Sequence, residues 1–164
     1  MKRIPLSKTS ATAIVDDKDF RRISQCTWWI NSGYPTSGYY EGTRKTGRKW
    51  ICVRMHTLLF LPNPGFCVDH RNGNKLDNRR ANLRFASNQE NCQNMRQAAR
   101  KSSRSSSTYK GVSWDKERRL WKAHITVSYR YIHLGRFTDE RDAARAYNAA
   151  ATKYFGEFAC PNKL

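Results

Sequence analysis

Cys67-Val68-Asp69-His70, then Asn72-Gly73, then Asn82-Leu83-Arg84-Phe85-Ala86, then Ser87-Asn88-Gln89-Glu90-Asn91: in this stretch the chain reads as a strand, a turn, a strand and a helix. Asn72-Gly73 supplies the turn, because both residues tolerate the left-handed backbone that tight reversals need. Ser87 and Glu90, three residues apart, form a capping box, which starts a helix by satisfying amide donors that have no partner in its first turn. Asn91 then falls in the first turns of that helix, placed to point back at the hairpin.

Outward from this centre the pattern changes on both sides. Residues 1–60 hold short apolar and aromatic runs, Ala13 to Val15, Cys26 to Ile30 and Trp50 to Val53, separated by Asn31-Ser32-Gly33, Gly38 and Gly42. That alternation of runs and turn residues predicts a small β-rich region. Met55 to Leu61 continues as a strand or forms a short helix, and Pro62 and Pro64 end it. Residues 61–100 form the central unit, and the Ser-rich, basic stretch 101–108 has no apolar periodicity, so it reads as a linker.

From Tyr109 to Phe137 the strand pattern returns. In Trp121-Lys122-Ala123-His124-Ile125-Thr126-Val127 the odd positions are apolar and the even ones polar, as in a sheet with one covered face. Thr138, with Asp139 and Glu140 behind it, starts a helix. Ala143, Ala144, Tyr147, Ala150, Ala151 and Tyr154 recur at helical spacing until Gly156. Residues 109–164 are therefore expected to form a three-stranded antiparallel sheet packed on one helix, with Ile125, Val127, Ile132 and Leu134 toward the helix. The whole chain is placed in the α+β class.

Thirty-one Lys and Arg stand against 13 Asp and Glu, a formal charge of +18. An excess that large points to a polyanionic partner, nucleic acid first. Both halves share it: residues 1–108 carry 20 basic and 7 acidic residues, and 109–164 carry 11 and 6. No acid interrupts the run from Glu90 to Asp115, which holds Arg96, Arg100, Lys101, Arg104 and Lys110. Cys26, Cys52, Cys67, Cys92 and Cys160 are odd in number and never spaced C-x-x-C, against a disulfide framework or zinc knuckle; buried free thiols are expected. No apolar run approaches the roughly 18 residues of a membrane span, so an intracellular, cytoplasmic protein is expected, with no membrane partner.

The ordered set Asp69-His70, Asn82 and Asn91, with Val68, Asn74-Lys75-Leu76 and Leu83-Arg84 around it, resembles the ββα-metal (His-Me finger) motif of HNH endonucleases, in particular the phage-type homing endonucleases. Singly, each residue has a plain structural reading: Asp69-His70 as a polar pair at a strand end, Asn82 as a turn residue, Asn91 as a solvent-facing one. Together, in this order, they favour chemistry. The resemblance implies a metal-dependent endonuclease that hydrolyses or nicks phosphodiester bonds in double-stranded DNA, a monomer with no obligate protein partner, phage-encoded and acting in a host cell. A non-catalytic sequence-specific DNA-binding regulator is the alternative.

The reaction accounts for these residue types. An imidazole with pKa near 6.5 suits a base that takes a proton from water at neutral pH, and His70 beside a carboxylate is that base. A divalent cation stabilises the pentavalent phosphorus and the leaving 3′-oxygen. Hard oxygen donors, Asp69 and the side-chain carbonyl of Asn91, suit Mg²⁺, with Mn²⁺ as the alternative. Asn82, the central N by resemblance, ties the loop and so orients His70. Arg84 is placed to reach a phosphate, or is a surface charge. His56 matches a His found ahead of the motif in relatives, but Thr57 follows where they carry Arg, so packing and phosphate contact both stay open.

Over 109–164, Tyr109-Lys110-Gly111-Val112, Trp121 to Ile125, Leu134-Gly135-Arg136-Phe137 and Ala143 to Ala150 resemble the ethylene-response-factor (Apetala-type) DNA-binding domain of plants. The resemblance implies a sheet laid in the major groove, with Lys110, Ser113, Lys122, His124, Thr126, Tyr131 and His133 facing DNA. Arg100, Lys101 and Arg104 of the linker join them as DNA contacts. Those plant domains favour Arg and Trp at several of these positions, where this chain has Ser113, Thr126, Tyr131 and His133, so their target sequence does not carry over.

Overall fold

In a computed structural model of the chain, residues 1–41, 49–94 and 106–164 are described. They divide into two compact units, Met1–Asn88 and Gln89–Leu164.

The first unit opens with an antiparallel pair, β1 (Lys2–Pro5) and β2 (Thr12–Val15), followed by helix α1 (Asp17–Ile23). Asp17 and Asp19 sit in the first turn of α1 and Arg21 and Arg22 in the last, the order that complements a helix dipole. Strands β3 (Trp29–Asn31), β4 (Tyr34–Glu41) and β5 (Lys49–Arg54) make an antiparallel sheet in that order. Helix α2 (Met55–Leu59) continues directly from β5. Hairpin strands β6 (Cys67–His70) and β7 (Leu83–Ala86) pair antiparallel near the end of the first unit; helix α3 (Asn88–Asn94) comes next in the chain, all but its first residue in the second unit.

Several expectations change here. The first 60 residues hold helices α1 and α2 among their strands, and they are not a separate region. Ile4 and Leu6, Ala13 and Val15, Ile23, Trp28, Met55 and Leu59 share one core with Val68 and Leu83 of the hairpin. The hairpin has too little apolar surface for a core of its own, and the N-terminal elements supply it. Gly38, read as a turn, lies inside β4 opposite Cys52. A Cβ there would meet the Trp50 ring at 2.4 Å, so the glycine serves close approach of an aromatic side chain. The turn between β3 and β4 is Ser32-Gly33, both with positive φ, the backbone of the tight hairpin reversal.

In the second unit β8 (Val112–Asp115), β9 (Leu120–Val127) and β10 (Arg130–Phe137) form a three-stranded antiparallel sheet, order β10-β9-β8. Helix α4 (Glu140–Phe155) covers one face. Ile125, Val127, Ile132 and Leu134 pack toward Tyr147, Ala150, Ala151 and Phe155, while Val112 and Ala123 meet Ala143 and Ala144. Small alanines bring the helix close to the sheet. The cap is Asp139, one residue later than expected, accepting from the amides of Arg141 and Asp142 at 2.7 and 3.2 Å. Phe155 takes the buried place read for Tyr154, which is 42 % exposed.

The Ser-rich stretch is structured at its end. Ser107 Oγ donates to Glu140 at 2.6 Å and accepts the Tyr109 amide, while Ser106 Oγ accepts the Trp114 amide at 2.7 Å. All five cysteines are free, but none is buried: Cys26, Cys52 and Cys92 are exposed and Cys67 and Cys160 half-buried. Among the described residues no helix is long and apolar enough to cross a membrane.

Candidate active site

The loop between β6 and β7 is closed by asparagines. Asn82 Oδ1 accepts the Asn72 amide at 3.0 Å, and Asn82 Nδ2 donates to the Asp77 carbonyl at 2.7 Å. Asn72 Nδ2 donates to Asp77 Oδ2 at 2.9 Å, and Gly73, with φ of 68°, donates its amide to the His70 carbonyl at 2.8 Å. The Arg79 guanidinium lies on Asp77 at 2.7 Å and holds that carboxyl below its ordinary range.

Strand β2 pins the same loop from outside. The Ile14 amide donates to the Leu76 carbonyl and the Asn78 amide to the Ile14 carbonyl, each at 2.8 Å. Arg80 ties the next turn to α1, its backbone amide on Asp16 at 2.8 Å and its guanidinium on Asp19 at 2.8 and 2.9 Å. That bond, foremost, lowers the Asp19 pKa. The N-terminal elements thus fix the loop that carries Asn78.

Asn78 is fully buried and faces His70, Oδ1 to Nε2 at 3.3 Å. Its Nδ2 donates to the Lys75 carbonyl at 3.3 Å, so the amide oxygen is the group turned to the ring, and Nε2 is the N–H. That tautomer carries its basic lone pair on Nδ1. Burial, foremost, pushes the His70 pKa below its ordinary value, with the Asn78 bond and the Asp69 charge pulling the other way. That shift favours the neutral ring.

Asp69 and Arg84 face each other across the hairpin. Arg84 Nε and Nη2 lie 2.9 and 2.8 Å from Asp69 Oδ2, and both side chains are buried, 5 % and 7 % exposed. Arg84, read as a DNA contact, is therefore inside the fold, balancing a carboxylate whose burial alone would be costly. His56 is buried at 4 % exposure, its ring edge-on to His70 with centroids 5.0 Å apart and tilted on Tyr34 at 5.1 Å. It packs in the site. Asn91 lies half-buried in α3, four residues after Ser87.

Of the residues expected at DNA in the second unit, Ser113 and Lys122 pair across β8 and β9, and His124 with His133 and Thr126 with Tyr131 across β9 and β10. They alternate with the core residues and so occupy the sheet face opposite α4. A bulge between His133 and Gly135 resets the alternation, and Arg136 joins Lys122 on that face. The His124 and Tyr131 rings stack at 5.0 Å, and Arg136 pairs with Asp115 at 3.1 Å. Lys110 is instead half-buried, its Nζ donating to the Gln93 carbonyl at 2.8 Å and its backbone held at both ends by Asn162. Arg100, Lys101 and Arg104 lie outside the described residues.

Sequence reasoning missed Asn78 and Tyr34 and gave no role to Lys75, quoted only within Asn74-Lys75-Leu76. Each enters the site through loop or hairpin-turn geometry, and only the run of Asn residues around the turn hinted at a hydrogen-bonded loop.

The hairpin thus carries a buried imidazole held by Asn78 and, at the preceding residue, a buried carboxylate held by Arg84. Residues 61–93 match the HNH endonuclease family. The chain is 33 % identical over 146 residues to an uncharacterized HNH endonuclease of Acanthamoeba polyphaga mimivirus, covering 87 % of this chain and 70 % of that one. It is also 39 % identical over 63 residues to protein 3.8 of Escherichia phage T7, covering 38 % of this chain and 49 % of that protein. The chain belongs to the HNH endonuclease family. It is a nuclease; the family implies a DNA substrate, and its members typically use a divalent metal ion.

Proposed function

We propose that this nuclease is of the homing type, cutting or nicking double-stranded DNA at a site chosen by its second unit. The observation that carries the catalytic half is the Asn78–His70 bond, which fixes the tautomer of a buried, neutral imidazole next to Asp69. In the reaction, His70 Nδ1 takes a proton from the attacking water as its oxygen bonds to phosphorus and the bond to the 3′-oxygen breaks; the leaving oxygen takes a proton from solvent, giving 5′-phosphate and 3′-hydroxyl ends. Asn82 holds the loop, and with it Asn78, so it is a positioning residue.

The donors suited to a metal are oxygens, the Asp69 carboxylate and the Asn91 amide, which fits a hard divalent cation, Mg²⁺ first and Mn²⁺ as the alternative. When bound, such an ion offsets charge on the phosphorus oxygens and the leaving 3′-oxygen. Arg84 beside Asp69 holds that carboxylate in place. In the second unit, a three-stranded sheet with one face under α4 and the other carrying Ser113, Lys122, His124, Thr126, Tyr131 and His133 supports the ethylene-response-factor-like reading, a sheet set into the major groove. A non-catalytic regulator with the same sheet is the rival.

Supercoiled plasmid incubated with wild type and Mg²⁺, with EDTA added, and with His70→Ala separates the two. Conversion to open-circular or linear form by the metal-supplied wild type alone is the expected outcome. Equal behaviour of all three samples leaves the regulator.

A further inference from the structure

Three arginines of the hairpin region sit on carboxylates: Arg79 on Asp77, Arg80 on Asp19 and Arg84 on Asp69. Lys75 and Arg54 do not, since neither has an ion-pair partner among the described residues. Both lie instead over one aromatic ring, that of Tyr34, with Lys75 Nζ 4.0 Å and the Arg54 guanidinium 4.7 Å from its centroid. The same ring stands 6.1 Å from the His70 ring.

An aromatic face attracts a cation without neutralising it. Two like charges gathered about one ring, with no carboxylate between them, repel each other unless an anion joins them. Lys75 is also held in place: Nζ donates to the Ser32 carbonyl at 3.1 Å, and its stem crosses the β3–β4 turn so closely that a Cβ on Gly33 would lie 3.3 Å from its Cδ. Arg54, at the end of β5, is exposed. Two cations gathered on one ring next to that of His70, one of them held in place and neither on a carboxylate, have the chemistry of a phosphate site.

We propose that Lys75 and Arg54, held over Tyr34, form a clamp for a backbone phosphate of the DNA strand near the bond that His70 attacks. This rests on the DNA-cutting reading above and adds to it a substrate contact outside the Asp69, His70, Asn82 and Asn91 set. Tyr34 acts as a positioning residue, and the two cations touch the substrate.

The test is duplex binding as a function of salt, in the full chain carrying His70→Ala so that the DNA stays intact. Lys75→Gln and Arg54→Gln are each expected to weaken binding roughly 10-fold at low salt and to lower the slope of log affinity against log salt by about one, the signature of one lost phosphate contact. Lys75→Arg keeps the slope. Tyr34→Leu weakens binding although both charges remain, and thermal unfolding of each variant identifies any that fails to fold. An unchanged slope in both glutamine variants, with the fold intact, overturns the clamp. Failure of the otherwise wild-type chain to cut plasmid overturns the enzymatic reading and leaves the slope measurement standing.

Discussion

Burial holds the His56 imidazole at a pKa of about 3, against an ordinary value of 6.5, with Tyr34, His70, Arg54 and Lys75 around it. In the fold the ring stays neutral; in the unfolded chain it takes up a proton near 6.5. Between those two values the unfolded state binds more protons, so stability falls as pH falls through 6.5 and continues to fall toward about 3. By about pH 5 this one group costs about 2 kcal/mol. Asp19 and Asp77, whose pKa values are lowered by Arg80 and Arg79, contribute stability that is lost only at lower pH, below their ordinary 3.8. His70, lowered in the same direction, adds to the His56 window, so the comparison must be between wild type and His56→Leu. Urea unfolding at about pH 7 and pH 5 is expected to show a stability loss about 2 kcal/mol smaller in the variant; equal losses would mean that His56 is not buried as the neutral ring. At this scale Asp69, His70 and Asn82 stand out in the sequence because their residue types follow one another at a fixed spacing. Asn78 was not, since its role comes from Nδ2 meeting the Lys75 carbonyl and Oδ1 meeting His70, a consequence of how the loop closes. Arg84 read as basic and accessible; its register opposite Asp69 buries it.

Among the elements, the sheet and helix of the second unit meet at Gly111, which has φ of 74° and lies under the Tyr147 ring. A Cβ at that position would sit 2.0 Å from Tyr147 Cδ2 and 2.6 Å from the His124 carbonyl oxygen. One of those neighbours is backbone and the other a buried ring on α4, so neither gives way cheaply. Gly111→Ala is expected to cost about 2–4 kcal/mol, left-handed strain added to overpacking. Hydrogen exchange of β9 and β10 amides in the full chain is the readout, and protection equal to wild type would show that α4 does not press on this glycine. The alternation in β9 and the alanine spacing in α4 made these elements readable, because each has a long periodic face. The strand β1 and helix α1 are only 4 and 7 residues long, too short for a period to stand out. The shared core of the first unit was equally hidden: nothing local in Ile4 or Val15 tells that they cover Val68 and Leu83.

Across the whole molecule, the +18 charge belongs to both units, and counterion release makes DNA affinity fall steeply with salt whatever the sequence bound. Recognition is a separate quantity. On the sheet face opposite α4, Lys122 is the long cation with no carboxylate partner among the described residues, whereas Arg136 is paired with Asp115. Thr126, His133 and Tyr131 are exposed there, and Tyr131 is stacked on His124. A flexible ammonium suits phosphate, while a hydroxyl or ring set beside it suits base edges and methyl groups. Lys122→Gln is therefore expected to weaken binding to all duplexes alike and to lower the salt slope by about one. Thr126→Ala and Tyr131→Ala are expected to leave the slope unchanged and to alter which sequences are enriched from a randomised duplex pool. If all three variants select and bind as wild type does, the sheet is not the reader, and target choice must lie with the first unit or the basic stretch before Ser106.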